Sequence, residues 1–230
     1  EHPVVGDGHL DRCLLPRLDL LVDRAFVEDR VNSAQELASV SDVRPSAPHN
    51  VANALAAAAL ARAFGVPPTA VRDGLRAFVP AAHRIADVGT VRGVSYVDDS
   101  KATNAHAAQT SLLAYDSIVW IAGGQAKGQE FDDLVRLAAP RLRGAVLLGE
   151  DRAVIAAALA RHAPDVPVIE VANPDTGAMV EVVRHAASLA QHGDTVLLAP
   201  GCASWDMFRD YADRGAQFAQ AVAELPGSAE

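Results

Sequence analysis

Apolar residues in the second half of the chain follow two alternating patterns. Short apolar runs bounded by glycine, proline or charged residues predict buried strands, and they occur at 85–91, 94–97, 118–122, 145–148, 166–171 and 196–199. Between these runs, apolar residues recur at helical spacing, as in 131–138, 154–159 and 179–186. Strands that alternate with amphipathic helices are typical of a parallel sheet covered by helices. The pattern therefore predicts an α/β domain with a mostly parallel sheet over residues 85–230.

The first part of the chain, residues 1–84, is predicted to belong to a different unit. It opens on an irregular stretch in which short strands are expected around 18–26. The alanine-rich stretch that follows predicts a helix, and the pair Pro67-Pro68 is a natural start for a second one. Together they form a predicted helical pair over about 51–78. A short connection then leads into the α/β domain.

Composition and charge narrow the functions that this fold can serve. Half of the 230 residues are hydrophobic, and the net charge of -9 argues against a general nucleic-acid or anionic-membrane surface. Cys13 and Cys202 are too few for a disulfide scaffold, and no apolar run is long enough to span a bilayer. We expect a cytoplasmic protein without a metal-ligating cluster of its own. Because the chain opens Glu-His-Pro, we also expect its natural N-terminus to lie upstream.

Three polar clusters follow predicted strands, which is where ligands bind in open α/β sheets. The first cluster, residues 98–104, packs carboxylate, ammonium, hydroxyl and amide groups together. Lys101 and Thr103, with nearby backbone N–H groups, suit a carboxylate or a phosphate. The alternative is an ordinary helix cap supplied by Asp99, Ser100 or Thr103.

The second cluster, residues 123–128, offers glycines for close approach to a ligand and Lys127 as a cation, although a tight turn with a solvated lysine is equally consistent. The third cluster, residues 199–204, is expected to open a final helix that begins after Ser204, with Ser204 as a simple N-cap in the alternative view. Cys202 in this cluster is expected to be a packing residue. The apolar stripe of the final helix is predicted to contain Met207, Phe208, Tyr211, Phe218 and Val222.

Taken together, the motifs resemble the Mur ligase family over roughly residues 43–225. The resemblance rests on H-N-V-A-N at 49–53, His83-Arg84, D-S-K-A-T-N at 99–104, Gly123-Gly124 with Lys127, and C-A-S at 202–204 followed by Asp206 and Phe208. The resemblance is to the members that add D-glutamate. It implies an ATP-dependent, ADP-forming ligation of D-glutamate to UDP-N-acetylmuramoyl-L-alanine through an acyl phosphate, in peptidoglycan biosynthesis.

The resemblance also implies a domain organisation. Residues 85–230 would form the Rossmann-like C-terminal domain that receives the amino acid, and residues 1–84 a fragment of the central ATP-binding domain. ATP and Mg²⁺ are the implied cofactors, with the metal ligands expected upstream of this sequence. The sequence contains no G-x-x-x-x-G-K-S/T phosphate-binding loop, so the isolated chain is expected to be incomplete and inactive. A monomer is expected.

Nucleotide contacts are implied for residues in both predicted domains. By resemblance, Asn53 would contact the adenine, and Arg84 and Asp99 would contact the phosphates and ribose. Arg84 and Lys101 would also lie close to the reacting groups and take part in catalysis.

D-Glutamate contacts are implied for Thr103, Lys127 and Ser204, with the backbone near Tyr211 contributing. Ammonium and hydroxyl groups form charge-assisted hydrogen bonds with two carboxylates and leave the substrate amine free to attack. Two alternatives remain open at this point. One is a sister ligase with another amino-acid substrate, such as another Mur ligase or a folylpolyglutamate synthase. The other is a non-catalytic domain that binds an acidic amino acid or a nucleotide.

Overall fold

The computed structural model describes residues 19–44, 48–79, 81–172 and 177–227. The chain divides into two compact units, Glu1–Pro80 and Ala81–Glu230. Each unit has its own hydrophobic core. Cys13 lies outside the described residues.

The first unit combines a two-stranded antiparallel sheet with the predicted helical pair. Its elements are β1 (Leu20–Asp23), β2 (Gln35–Ser39), α1 (Pro48–Ala63) and α2 (Pro68–Ala77). Leu21 of β1, Leu37 of β2 and Val71 of α2 meet in a small core. The prediction of strands around 18–26 is confirmed by β1, whereas β2 was not foreseen because its sequence, Q-E-L-A-S, contains no run of apolar residues.

The second unit contains a six-stranded sheet of order β3-β4-β8-β5-β6-β7. The strands are β3 (Ala86–Val91), β4 (Val94–Asp98), β5 (Ile118–Gly123), β6 (Leu142–Leu148), β7 (Val168–Glu170) and β8 (Thr195–Leu198). Strand β3 runs antiparallel to β4, and every other pair is parallel. All six residues of β5 are buried, as expected for a central strand with helices on both faces. The predicted α/β fold with a mostly parallel sheet is therefore confirmed.

Five helices cover the two faces of this sheet. They are α3 (Ala105–Leu112), α4 (Asp132–Ala138), α5 (Arg152–His162), α6 (Ala178–Leu189) and α7 (Tyr211–Ala223). The apolar sides of α3, α4 and α5 pack with one face of the sheet, and those of α6 and α7 pack with the other. The sheet's carboxyl ends are left as the edge along which the polar clusters lie.

The last helix begins at Tyr211, and the prediction that it begins after Ser204 is wrong. Its N-cap is Asp210, whose carboxylate accepts a hydrogen bond from the N–H of Asp213 at 2.8 Å. The residues after Ser204 form a separate turn, in which the Ser204 carbonyl accepts the N–H of Met207 at 3.2 Å. Ser204 is therefore not a helix cap, and the third cluster is not a helix N-terminus.

Candidate functional site

The three polar clusters come together at the carboxyl ends of β4, β8 and β5, because β8 lies between the other two strands. The Gly201 N–H donates to the Ala102 carbonyl at 2.9 Å, which joins the third cluster to the first. Gln125 and Ala203 exchange two backbone hydrogen bonds of 2.9 and 3.0 Å, which join the second cluster to the third. The clusters thus form one continuous rim.

Two glycines permit the close approach of these loops. A Cβ atom on Gly124 would overlap the Ala203 carbonyl, and one on Gly123 would overlap the carbonyl of Leu148. The φ angles of Gly123 and Gly124 are 118° and 126°, positive values that residues with side chains rarely adopt. Gly124 is therefore required where the second and third clusters meet, and Gly123 where the end of β5 meets β6, in addition to any access that the pair gives to a ligand.

Lys101 is positioned by the backbone of the first cluster and by an aromatic ring. Its N–H donates to the His83 carbonyl at 2.9 Å, and its Nζ lies 3.9 Å from the centroid of the Tyr211 ring. The preceding Ser100 is fully buried, and its hydroxyl donates to the Tyr211 carbonyl at 2.7 Å. The Ser100 hydrogen bond and the contact between Lys101 and the Tyr211 ring thus join the first cluster to the start of α7.

A buried arginine completes this arrangement. Arg214 is 1 % exposed, and its guanidinium donates to the Ser100 hydroxyl and carbonyl at 2.9 Å and to the Cys202 carbonyl at 3.1 and 3.2 Å. Burial lowers the pKa of Arg214 to about 10, so the group remains charged at neutral pH. The sequence alone did not indicate this role for Arg214. The available signal was its spacing, since Arg214 falls between Tyr211 and Phe218 on the apolar stripe of α7.

His83 and Asp98 form a part-buried polar pair at the start of the first cluster. The His83 Nδ1 lies 2.6 Å from the Asp98 carboxylate, and the other oxygen of Asp98 accepts the Ser100 N–H at 2.8 Å. The pair fits against α7 only because position 215 is glycine, since a Cβ atom on Gly215 would overlap the His83 ring. The sequence carried His83 as part of a motif without indicating this partner.

Asp99 is almost entirely withdrawn from water, at 4 % exposure. Its carboxylate accepts hydrogen bonds from the Ile85 N–H at 3.2 Å and from the Ser111 hydroxyl. Burial is the largest influence and raises the pKa of Asp99 to about 6, with Asp98 adding to the rise and the two hydrogen bonds opposing it. A group with this pKa changes protonation state near physiological pH.

The helix after the first cluster is capped by Asn104, whose side chain accepts the N–H of Ala107 at 2.9 Å. The alternative in which Asp99, Ser100 or Thr103 supplies that cap is therefore wrong. Asp99 and Ser100 are buried at the end of β4, and Thr103 is half-buried on the rim.

Lys127 lies on an exposed turn of the second cluster. It adopts a left-handed conformation with φ of 51°, followed by Gly128 with φ of 76°. Its Nζ lies 4.9 Å from the centroid of the Trp205 ring. Lys101 and Lys127 are the only two lysines in the sequence, which has 20 lysine and arginine residues in all. Both ammonium groups therefore lie on this rim, and each faces an aromatic ring.

The remaining predicted residues occupy varied positions. Ser204 is 2 % exposed within the turn described above, and Arg84 is exposed and directly follows His83 in the chain. Asn53 is exposed on α1 of the first unit. Cys202 is fully buried, and burial raises the pKa of its thiol to about 12. Cys202 is thus the packing residue that the sequence suggested.

Neither a metal-ligating cluster nor a membrane-spanning helix is found in the described part of the chain. In residues 19–44, 48–79, 81–172 and 177–227, no group of three or more His, Cys, Asp or Glu side chains is placed to hold a metal ion. No helix within the described residues is long and apolar enough to cross a membrane.

Comparison with protein families matches residues 83–202, just over half of the chain, to the family described as Mur ligase, glutamate ligase domain. A UDP-N-acetylmuramoylalanine--D-glutamate ligase from Streptomyces coelicolor is 70 % identical over 90 % of this chain and 44 % of its own length. One from Thermobifida fusca is 65 % identical over 91 % of this chain and 45 % of its own length. The chain thus spans less than half the length of these relatives.

Solved structures share the fold at much lower sequence identity. A UDP-N-acetylmuramate-alanine ligase from Thermotoga maritima superposes with a TM-score of 0.57 at 14 % identity, covering 89 % of this chain and 43 % of that one. MurF from Acinetobacter baumannii gives a TM-score of 0.56 at 18 % identity, covering 92 % and 43 %. At these identities the likeness concerns the fold alone.

Proposed function

From the premise that the chain belongs to the Mur ligase family, through its glutamate ligase domain, we propose that it is the D-glutamate-binding part of an ATP-dependent ligase. The reaction joins D-glutamate to UDP-N-acetylmuramoyl-L-alanine in peptidoglycan biosynthesis and forms ADP and phosphate. Relatives that are 70 and 65 % identical carry the name of such a ligase, which supports this substrate over those of sister ligases. In this proposal residues 85–230 bind the amino acid, and residues 1–84 are the end of a central ATP-binding domain.

The observation that carries the proposal is the placement of the only two lysines of the sequence. Lys101 and Lys127 lie on loops that hydrogen bonds join into one rim, and each ammonium group faces an aromatic ring. D-Glutamate carries two carboxylates, so two separate ammonium groups match its charge in a chain whose net charge is -9. Thr103 and Ser204 add hydroxyl donors to the same rim. Each charge-assisted hydrogen bond of this kind contributes about 1.5–3 kcal/mol.

The chemical role of this rim is to orient a nucleophile. ATP would first phosphorylate the alanine carboxylate of the UDP-linked substrate, giving an acyl phosphate. The amine of D-glutamate would then attack the acyl carbon, forming the C–N bond as the C–O bond to phosphate breaks. Holding both carboxylates leaves the amine as the free end of the substrate, which favours attack in one direction.

Three further residues are proposed to bind the nucleotide. Arg84, Asp99 and Asn53 are proposed to contact ATP, with the Mg²⁺ that accompanies it held by ligands upstream of this sequence. The buried carboxylate of Asp99 already accepts two hydrogen bonds, so its two remaining acceptor positions are those available to a ribose hydroxyl. We propose a cytoplasmic location because ATP and UDP-linked sugars are consumed inside the cell. A monomeric state is proposed separately.

Calorimetric titration of the chain with D-glutamate, L-glutamate and ATP tests recognition without requiring turnover. We expect D-glutamate to bind in preference to L-glutamate and Lys127→Met to weaken that binding about 10- to 100-fold, the equivalent of one charge-assisted hydrogen bond. Arg136→Met removes the same charge from an exposed ion pair on α4 and serves as the matched control. Preference for another amino acid would assign the chain to a sister ligase. Binding without stereochemical preference would favour a non-catalytic domain.

Turnover is tested in a chimera, in which this chain replaces the matching 44 % of the Streptomyces coelicolor relative. The expected result is phosphate release that requires D-glutamate, UDP-N-acetylmuramoyl-L-alanine and ATP together. Lys127→Met in the chimera should raise the KM for D-glutamate, whereas Arg136→Met should leave it unchanged. A folded chimera that releases no phosphate with any amino acid would contradict the proposed reaction.

A further inference from the structure

Trp205 is an aromatic residue that the fold holds at the surface. The turn that carries it is anchored on both sides, because Ser204 is 2 % exposed and Met207 and Phe208 are 9 and 6 % exposed. The Ser204 carbonyl accepts the N–H groups of both Met207 and Phe208, which closes the turn around Trp205. The side chain of Trp205 is nevertheless 71 % exposed. Its exposure is therefore a property of an ordered turn.

The other tryptophan of the sequence shows the usual alternative. Trp120 is fully buried, and its indole N–H donates to the Ala199 carbonyl at 2.8 Å. An exposed indole forgoes the hydrophobic stabilisation of about 25 cal/mol per Å² that burial would give. Among the large hydrophobic residues described in the second unit, Trp205 is the most exposed. Trp205 lies directly beside the proposed substrate site, and a contact made by its indole face there would account for the exposure.

Lys127 is the partner that this face meets. The Lys127 Nζ lies 4.9 Å from the ring centroid, within the roughly 6 Å at which an ammonium group is attracted to an aromatic face. One oxygen of Asp206 accepts the Glu150 N–H and one oxygen of Asp151 accepts the Ala126 N–H, both at 2.8 Å, whereas the other oxygen of Asp206 is buried without a hydrogen-bond partner among the described residues. The ion pairs found among the described residues include none with Lys127. The indole is thus the group that orients this ammonium.

We propose that Trp205 is a positioning residue for Lys127, whose ammonium it holds in place to receive a carboxylate of D-glutamate. The inference rests on the function proposed above. A lysine side chain has four rotatable bonds, and on an exposed turn it loses that freedom when it binds a ligand. Contact with the indole removes part of this freedom before the ligand arrives, while the N–H groups that point away from the ring stay available. The result is a tighter complex without a direct contact between Trp205 and the substrate.

Lys101 and Tyr211 provide an internal reference for this arrangement. The Lys101 ammonium lies 3.9 Å from the Tyr211 centroid, closer than Lys127 is to Trp205. Both rings come from the segment that follows β8, and both lysines come from the segments that follow the neighbouring strands. The same segment thus supplies the aromatic support for both cations.

The first test needs no ligand. In protein labelled with ¹³C-lysine, two lysine side chains give signals, and Lys101→Arg and Lys127→Arg assign them. We expect the ε-methylene protons of Lys127 to be shifted upfield by the ring of Trp205, to stay upfield in Trp205→Phe and to return to the usual range in Trp205→Leu. Tyr211→Leu should move the Lys101 signal alone. A Lys127 signal that is identical in the unaltered chain and in Trp205→Leu would overturn the inference.

The second test measures D-glutamate affinity by calorimetry in the same variants. Loss of a cation–π contact at an exposed site corresponds to an increase of about 2- to 5-fold in Kd, which we expect for Trp205→Leu. Trp205→Phe should restore the affinity, because it keeps an aromatic face, and a merely structural role would not be rescued in this way. If Trp205→Leu binds like the unaltered chain, the positioning role is wrong while the proposed function stands. If the unaltered chain binds no D-glutamate, the proposed function and the role of the pair both fail.

Discussion

The two lysines of the sequence are held by different means. Lys101 lies next to buried polar groups, since Ser100 is fully buried and Asp98 and Asp99 are 3 and 4 % exposed. Lys127 lies on an exposed turn, and its neighbour Trp205 is 71 % exposed. One ammonium group is thus supported by the interior of the domain and the other by its surface. The part of the proposed site around Lys101 is therefore coupled to the stability of the fold. The part around Lys127 can be altered without unfolding the domain.

The largest expected effect comes from removing the buried cation behind Lys101. Arg214→Met leaves the Ser100 and Cys202 carbonyls without the donors that the guanidinium supplies, and each buried acceptor left unsatisfied costs about 1–3 kcal/mol in the free energy of unfolding. Urea denaturation measures the change. Arg209→Met, which removes an arginine that is 86 % exposed from the same segment, should cost less than about 0.5 kcal/mol. Similar losses in both variants would contradict the comparison.

Asp99→Asn, which also changes a buried group next to Lys101, should raise the free energy of unfolding. The pKa of Asp99 is about 6 in the folded state and about 3.8 when unfolded, so the folded state binds more protons between these values. Stability of the unaltered chain therefore falls as the pH rises from about 4 to about 6, and the full penalty is present above pH 6. The asparagine variant avoids that penalty and should be more stable by about 3 kcal/mol at pH 8.

Urea denaturation at pH 4 and at pH 8 checks this expectation. The advantage of Asp99→Asn should disappear near pH 4, where the folded carboxyl is already protonated. Asp133→Asn, at an exposed position on α4, is the control and should change stability little at either pH. An advantage that does not depend on pH would show that the ionised carboxylate is not its cause.

A smaller effect is expected from crowding the His83–Asp98 pair. Gly215→Ala places a Cβ atom against the His83 ring, and overpacking of this kind costs about 2 kcal/mol. Gly74→Ala on α2 is the matched control, because its Cβ would meet nothing within 4 Å and alanine favours a helix by up to about 1 kcal/mol. Thermal unfolding should therefore move in opposite directions for the two substitutions. A loss of stability in both would argue against the specific contact with His83.

The smallest effect sharpens the comparison without any substitution. Amine acylation followed by peptide mass spectrometry reports on the two lysines and the N-terminus alone. Exposed Lys127 should react faster than Lys101, which is half-buried and closer to its aromatic ring. D-Glutamate should slow acylation at both positions. If saturating D-glutamate slows acylation at neither lysine, neither lysine contacts the ligand.

Much of the fold could be predicted from the periodicity of apolar residues. The central strand β5 and the helices that flank it have uniform patterns, because burial on both faces or on one face leaves a regular trace in the sequence. Strand β2 escaped prediction since its pairing with β1 depends on residues that are distant in the chain. The start of α7 was misplaced because Met207 and Phe208 are buried from a turn, which mimics the spacing of a helix.

The site was predictable to the extent that its residues lie at strand ends. Lys101 and Lys127 were predicted to contact a ligand because ligands bind beyond the carboxyl ends of parallel strands, and both lysines do lie on the loops at those ends. Arg214 and Gly215 were not, since their roles depend on which groups α7 meets once it is packed. A charged residue on an apolar helix stripe is ambiguous in sequence, and the structure resolves it by supplying the Ser100 and Cys202 partners. The exposed face of Trp205 is a tertiary feature of the same kind.

The two backbone hydrogen bonds between Gln125 and Ala203 make the amides of these residues a probe of rim opening. Each residue donates its amide hydrogen to the other, so neither hydrogen exchanges with solvent unless both loops separate. Protection of these two amides from exchange therefore reports the free energy of the same opening of the rim. A ligand that contacts both Lys127 and Ser204 would bridge the same two loops. Its binding would slow hydrogen exchange at both amides together.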